Sequence, residues 1–405
     1  MNLIYCDPGL MDNQGHHANS CRMIVTEARS RGLPTGVLAY HDVEQPLRDE
    51  LAAIPWFQCH TYGKYSDDPI CGFLNGFDFV SRSTQENLSR LHSMPPTDLL
   101  YMNSAQPAQF MAVLQWGQAR PVEERPTVIF EFGTDSGVAI TGEKNNHKFT
   151  LFPESRRNER SILFRYTSRL LKDEDQKWLR LATFDRQASE IFQEFLNFPV
   201  GTLPLPRRAV TSCRDRSGKR PIVIGILGHQ RLEKGYHMVP ELAVRLLLAY
   251  NNIRLLVHNS WPNGMVTHQQ ALREIAAKDP RLVLSEDIAG ETLWNQLLEL
   301  SDLIVCPYDI NRFIASYSAV ASEAIANAIP LVAPHGTTLH GLLHEFGMPG
   351  TVFTESTVDS VLKAVTTALD TFDSLATQAK RASQIWEETR GPSRLVDAML
   401  SWCQS

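Results

Sequence analysis

The segment GHQRLEKG, residues 228 to 235, places His229, Arg231 and Lys234 in one short loop directly after the apolar run PIVIGIL. Gly228 lets a chain turn sharply after a strand, and the periodic stretch YHMVPELAVRLLLAY predicts a following helix whose free N–H groups suit an anion. Lys234 adds a point charge and Arg231 a fork-shaped donor, so the chemistry this loop fits is phosphate binding. An exposed loop with a lysine before a helix would carry the same residues. A second stretch, CPYDINRFIASYSAVASEAIANAIPLVAP, runs from a strand end into the short helix SAVASEAIANA and on into another strand. Ser318 is its expected N-cap, leaving amides for phosphate oxygens. Glu323 falls on the second turn, where a carboxylate can accept both hydroxyls of a ribose. A glutamate on a short helix is often simply solvated, but Ala, Ile and Val around this one bury the helix and demand a partner for the acid.

Two further loops carry polar side chains at strand ends. In DPGLMDNQGHHANS, glycines at 9 and 15 precede His16 and His17 at an apparent helix start. These histidines either contact a ligand or cap the helix; a metal is not expected, because neighbouring side chains on a helix diverge. In FEFGTDSG, Glu131 and Asp135 follow another strand, with a polar glycine turn as the plainer reading. The acidic run KDEDQK reads as a solvated charge cluster. No GxxxxGK[ST], GxGxxG or GxSxG occurs, so kinase, dehydrogenase and hydrolase readings lack a motif.

The elements that must hold these loops alternate in strand and helix period, the pattern of parallel α/β sheets. One series holds LIYC, GVLAY, LLYMN, TVIFEF and WLRLATF; another holds PIVIGIL, IRLLVHNS, RLVLSED, DLIVCPY and IPLVAP. Between them PVGTLPLPRRAVTSCRDRSGKR, with its prolines, glycines and basic residues, reads as an irregular linker at a domain boundary, its basic side chains either serving an anionic ligand in the cleft or, more plainly, solvated. The expected domains are 1–205, a linker at 206–220, and 221–385, with a C-terminal helix over 386–405 packing back on the first domain. Two doubly wound Rossmann-like domains that face a cleft would bind ligands beyond the carboxyl ends of their strands. At 405 residues two domains are expected, and a net charge of -6 excludes the basic excess that nucleic acid requires. Seven cysteines without CxxC spacing point to a reducing compartment, no apolar run reaches the roughly 18 residues of a membrane span, and the N-terminus lacks a signal-peptide pattern. A cytoplasmic protein is expected.

Taken together, these motifs resemble the C-terminal half of retaining glycosyltransferases of the GT-B fold, in particular family 4. The family's G-R-L-x-x-E-K-G is matched at Gly228, Glu233, Lys234 and Gly235, and its E-A-x-A-x-G-x-P at Glu323, Ala324, Ala326 and Pro330. LWNQLLELSDLIVCPYD is similar to the stretch between the two, and LATFDRQASEIFQEFLNFPVGTLPLP to the family's run-in to the linker. The resemblance implies transfer of a sugar from a nucleotide-sugar donor, with retention, to a glycan, lipid-linked or protein acceptor. Neither a cofactor nor a metal is implied. Peripheral contact with the inner membrane face stays open, although no basic amphipathic helix is evident.

By the same resemblance Lys234 stabilises the departing diphosphate and Glu323 holds the nucleotide ribose. The implied donor residues are Gly228, His229, Arg231, Lys234, Tyr308, Ser318 and Glu323. Lys234, His16 and His17 are the expected catalytic residues, and Gly15, Glu131 and Asp135 lie on the acceptor side. Departures from the pattern stand at His229 for an Arg, at Ala315 for the first Glu, and at Ala328 for a Gly. They keep two other readings alive: a sugar-nucleotide epimerase or phosphorylase of the same fold, and a catalytically silent nucleotide-sugar-binding relative.

Overall fold

The computed structural model describes residues 1–404 apart from 14, 92–93, 134–135, 143, 153–156, 210–215, 217, 219–220 and 261–264. It divides into two compact units, Met1–Pro206 with Pro392–Ser405, and Arg207–Gly391.

In the first unit the strands are β1 (Leu3–Asp7), β2 (Thr35–Tyr40), β3 (Ala53–Phe57), β4 (Leu99–Ala105), β5 (Thr127–Phe132), a small antiparallel pair β6 (Ala139–Thr141) and β7 (Lys148–Thr150), β8 (Leu179–Thr183) and β9 (Val200–Thr202). Among the described residues its main sheet is parallel, in the order β3-β2-β1-β4-β5-β8-β9. Helices α1 (Gly15–Ser30), α2 (Gln45–Leu51), α3 (Gly72–Ser89), α4 (Pro107–Gln118), α5 (Arg157–Ser168) and α6 (Arg186–Leu196) supply its crossovers. The strand β4, LLYMNSA, is buried at every position, as a strand covered on both faces must be, and its polar residues, Asn103 and Ser104, come only towards its carboxyl end.

The second unit carries β10 (Ile222–Ile226), β11 (Ile253–His258), β12 (Leu282–Ser285), β13 (Leu303–Val305), β14 (Leu331–Pro334) and β15 (Gly350–Phe353), in the parallel order β12-β11-β10-β13-β14-β15. Its helices are α7 (Val239–Ala249), α8 (Val266–Ala276), α9 (Glu291–Leu300), α10 (Ala319–Ala326), α11 (Thr338–Glu345), α12 (Val358–Asp370) and α13 (Phe372–Thr389), and the chain ends in α14 (Pro392–Gln404). In the first unit α14 meets α1 through Arg31, which donates to Asp397 at 2.6 Å and to the Ser393 carbonyl at 2.9 Å.

Strand order reverses between β1 and β4 in one unit and between β10 and β13 in the other. At such switch points the connections leave in opposite directions, so the loops beyond the carboxyl ends are splayed open to receive a ligand.

Several expectations from the sequence need correction. Strands β3, β9 and β15 escape the apolar pattern because each lies at a sheet edge and is short, and β3 contains Pro55, which an edge tolerates. The segment PVGTLPLPRRAVTSCRDRSGKR is not wholly irregular, because it contains β9. Two of its arginines are buried: Arg216 donates to the carbonyls of Ser301 at 3.2 Å, Asn327 at 3.1 Å and Ala328 at 3.3 Å, capping the C-terminal ends of α9 and α10. The acidic run at Asp173–Lys177 is solvated at Asp173, Glu174 and Lys177 but not at Asp175. Asp175 is wholly buried and accepts from Lys172 N at 2.9 Å, Gln118 Nε2 at 2.8 Å and Trp178 Nε1 at 3.0 Å.

Candidate functional site

In the second unit β10 runs out at Ile226, and Gly228 turns the chain with φ +104°, a left-handed conformation that glycine adopts without strain. Gln230, wholly buried, ties the turn down by donating to the Gly228 carbonyl at 2.8 Å and to the carbonyl of His258. The chain then passes through two short 3-10 turns, Leu232–Lys234 and Tyr236–Met238, before α7 starts at Val239. The helix therefore begins later than the pattern at Tyr236 implied, and its free amides are not adjacent to Lys234. What positions Lys234 instead is Gly235, at φ +69°, where an added Cβ would stand 1.8 Å from the Pro307 carbonyl oxygen. That approach brings the loops after β10 and β13 together, and Asp309 N donates to the Glu233 carbonyl at 3.0 Å.

Lys234 Nζ lies over the ring of Tyr308, 5.4 Å from its centre, and a Cβ added at Gly228 would be 3.2 Å from it. A larger residue than glycine at 228 would thus crowd the ammonium. Burial, reinforced by the charge of Arg231, pulls the Lys234 pKa down to about 8, and a lysine so depressed has unmet demand for an anion. His229 does not replace the missing arginine of the motif as a cation. Desolvation, with Lys234 and Arg231 beside it, lowers its pKa to about 4, leaving it neutral at pH 7.

Ser318 caps α10, its Oγ accepting from Ala321 N at 3.2 Å. Every residue from Val320 to Ala326 is buried, Glu323 included. Glu323 Oε2 accepts from Trp294 Nε1 at 2.7 Å, and Oε1 lies 3.5 Å from Arg207 Nε. Burial raises the carboxyl's pKa, and Arg207, Trp294 and Lys234 oppose the rise. Ala315, in place of the motif's first Glu, is buried. Ala328 holds φ +55°, the left-handed backbone for which the motif supplies glycine, at a strain of about 1–2 kcal/mol.

The first unit has its own cluster at the ends of β1, β4 and β5. Asp7 is wholly buried, and its Oδ1 and Oδ2 lie 2.8 and 3.0 Å from His17 Nδ1. Since a carboxylate only accepts, Nδ1 carries the proton and Nε2 is left outward, 3.2 Å from the Tyr62 hydroxyl. Gly9 N donates to Asp7 Oδ1 at 2.9 Å and Asn103 Nδ2 to Oδ2 at 2.8 Å. A Cβ at Gly9 would fall 2.3 Å from the His17 ring, so the glycine makes room for the imidazole. A bulge near the end of β4, where Ser104 has φ +48°, turns Asn103 toward Asp7 and offers Ser104 N to Glu131 Oε2 at 2.8 Å. Glu131 is wholly buried and its Oε1 has no hydrogen-bond partner among the described residues. Burial lifts its pKa to about 8, so it is protonated at neutral pH.

His16 and His17 do not diverge as adjacent helical side chains were expected to. Their ring centres lie 4.2 Å apart, and Tyr62 Oη reaches His16 Nε2 at 3.5 Å as well as His17. Gly15 opens α1 with φ +72°, and a Cβ added there would meet nothing within 4 Å among the described residues; Asp135 lies outside the described residues. Among the described residues no group of three or more His, Cys, Asp or Glu could hold a metal ion, and no helix is long and apolar enough to cross a membrane. Residues that reading the sequence missed are Asp7, Tyr62 and Asn103 in the first unit and Arg207, Gln230 and Trp294 in the second. A signal existed only for Asp7, an acid at the end of the first strand.

No family model matches the sequence, and no curated protein sequence matches it. Solved structures do. Sucrose-phosphate synthase from Thermosynechococcus elongatus is similar with a TM-score of 0.68 at 13% identity, over 100% of this chain and 98% of that one. HepE of Anabaena, solved in complex with UDP, is similar with a TM-score of 0.59 at 13% identity, over 99% of this chain and 100% of that one. A putative UDP-N-acetylglucosamine 2-epimerase from Listeria monocytogenes is similar with a TM-score of 0.58 at 14% identity, over 99% and 95%. These likenesses give the fold: two parallel α/β units of the GT-B kind.

Proposed function

We propose that this protein is a glycosyltransferase that takes a sugar from a nucleotide-sugar donor bound in the second unit. The observation that carries the reading is Lys234, a lysine of depressed pKa fixed by Gly228 and Gly235 at the β10 switch point, in the electrostatic range of Glu323 on buried α10. Lys234 would stabilise negative charge growing on the departing diphosphate, and Glu323 would accept the ribose hydroxyls. Arg231, Tyr308 and Ser318 complete the donor side. In the first unit His17, aimed by Asp7, is the group suited to an acceptor hydroxyl, with Glu131 and His16 beside it. Retention of configuration and independence of metal follow from the family resemblance, with departing phosphate oxygen taking the acceptor proton. The HepE structures carry UDP or UDP-glucose, which makes uridine diphosphate the first nucleotide to try.

Calorimetry with UDP, GDP, ADP, CMP and TDP on the wild type and Glu323→Ala tests the proposal. One nucleotide binds selectively, and the substitution weakens it by about tenfold or more, the worth of hydrogen bonds to a charged group. If no nucleotide binds, the reading falls. An epimerase is the second reading, favoured by Ala315 standing where the motif has its sugar-side glutamate and by the Listeria neighbour; it would convert a nucleotide sugar with no acceptor present.

The pH dependence of binding follows from Lys234. Its protonated form binds the diphosphate, so affinity is level below about pH 8. Above that the free protein must take up a proton to bind, and affinity falls by up to about tenfold per pH unit. Calorimetry at pH 7 and 9 reads the drop, and Lys234→Arg, which stays charged, flattens it.

A further inference from the structure

Arg207 opens the second unit, and only 5% of its side chain is exposed. Its backbone is fixed: the Arg207 carbonyl accepts from Trp386 Nε1 on α13 at 2.9 Å. The guanidinium is placed differently from that of Arg216, further along the same segment. Arg216 spends Nε and Nη1 on helix-end carbonyls. By contrast, neither Nε nor Nη1 of Arg207 has a hydrogen-bond partner among the described residues, while Nε stands 3.5 Å from Glu323 Oε1. A guanidinium kept out of water with donors unspent is costly unless its charge is answered. Glu323, itself 11% exposed in its side chain, is the answer available.

The charged and titratable groups that face Glu323 are Arg207, Lys234 in the loop after β10 and Tyr308 after β13, while Trp294 on α9 supplies a neutral N–H. Lys234 is the residue assigned to the diphosphate, which would draw its charge away from Glu323. Arg207 has no such second demand. The charge state of Glu323 matters because an ionised carboxylate offers acceptors on both oxygens, whereas a protonated one turns part of that capacity into a donor. A vicinal diol that donates both protons needs the former.

We infer that Arg207 is a positioning residue of the donor site, holding Glu323 as an ionised, two-oxygen acceptor for a ribose diol. The inference rests on the transferase reading and adds to it a residue outside both motifs. It is tested by titrating UDP, GDP, ADP, CMP and TDP into wild type, Arg207→Gln, Arg207→Lys and Glu323→Gln at pH 6, 7 and 8, with melting temperatures recorded throughout. For the nucleotide that wild type binds, Arg207→Gln is weaker by about tenfold at pH 6 and regains at least about threefold by pH 8, as the carboxyl ionises without its counter-ion. Arg207→Lys stays within about threefold of wild type, and Glu323→Gln is weak without that recovery. Unchanged binding in Arg207→Gln overturns the inference. So does a loss that is equal at all three pH values and that lysine fails to rescue, which would make Arg207 a prop of the fold. If wild type binds none of the five, the transferase reading and this inference fall together; if wild type binds and only the arginine results fail, the transferase reading stands.

Discussion

Lys234→Ala abolishes measurable sugar transfer, with a loss of at least about 10²–10³-fold, and leaves the melting temperature unchanged or higher. The first part follows from placing one fixed cation where charge develops, a contact worth roughly 3–4 kcal/mol in the transition state. The second follows from what surrounds the ammonium. Burial and the Arg231 charge both oppose protonation of Lys234, so the folded state gains nothing from that charge at pH 7. A residue that works against the fold is kept where a ligand rewards it. Release of nucleotide from the donor gives the rate, and a thermal melt gives the stability. An active Lys234→Ala protein, or one that melts several degrees lower, would remove Lys234 from the donor site.

Gly235→Ala gives the converse result, a protein that folds poorly. Its backbone is at φ +69°, and the new Cβ would meet Pro307 O at 1.8 Å and Pro307 C at 2.7 Å. Alanine pays about 1–2 kcal/mol for the left-handed backbone, and the clash is with backbone, which cannot swing aside as a side chain can. A loss of about 3 kcal/mol or more lowers the melting temperature of a unit of this size by roughly 10 °C. Thermal unfolding with and without nucleotide measures it. A melting temperature within about 2 °C of wild type would mean that the two loops separate at little cost.

What could be read from the chain divides along a physical line. Lys234 and Glu323 were legible because each breaks an apolar pattern locally: one follows a buried strand, the other interrupts a helix of Ala, Ile and Val. The central strands were legible for the same reason, being continuous apolar runs. Asp7 and Asn103 lie 96 residues apart, and their contact depends on the bulge in β4, which leaves no mark in hydrophobic period. Arg207 and Arg216 were misread as solvated because basic residues among prolines usually are. Nothing local reveals that Arg216 reaches carbonyls at the ends of α9 and α10. The adjacent histidines defied the rule for helix interiors since they stand in the first turn of α1, where both rings meet Tyr62.

The contact of Gly235 with Pro307, joined by the bond from Asp309 to Glu233, has an evolutionary consequence. The two loops are separated by some seventy positions of sequence, yet neither can drift alone: a side chain at 235 demands a retreat at 307, and that retreat would carry Tyr308 from under Lys234. Descendants of this chain should inherit the two loops as a single character, changing both together or neither.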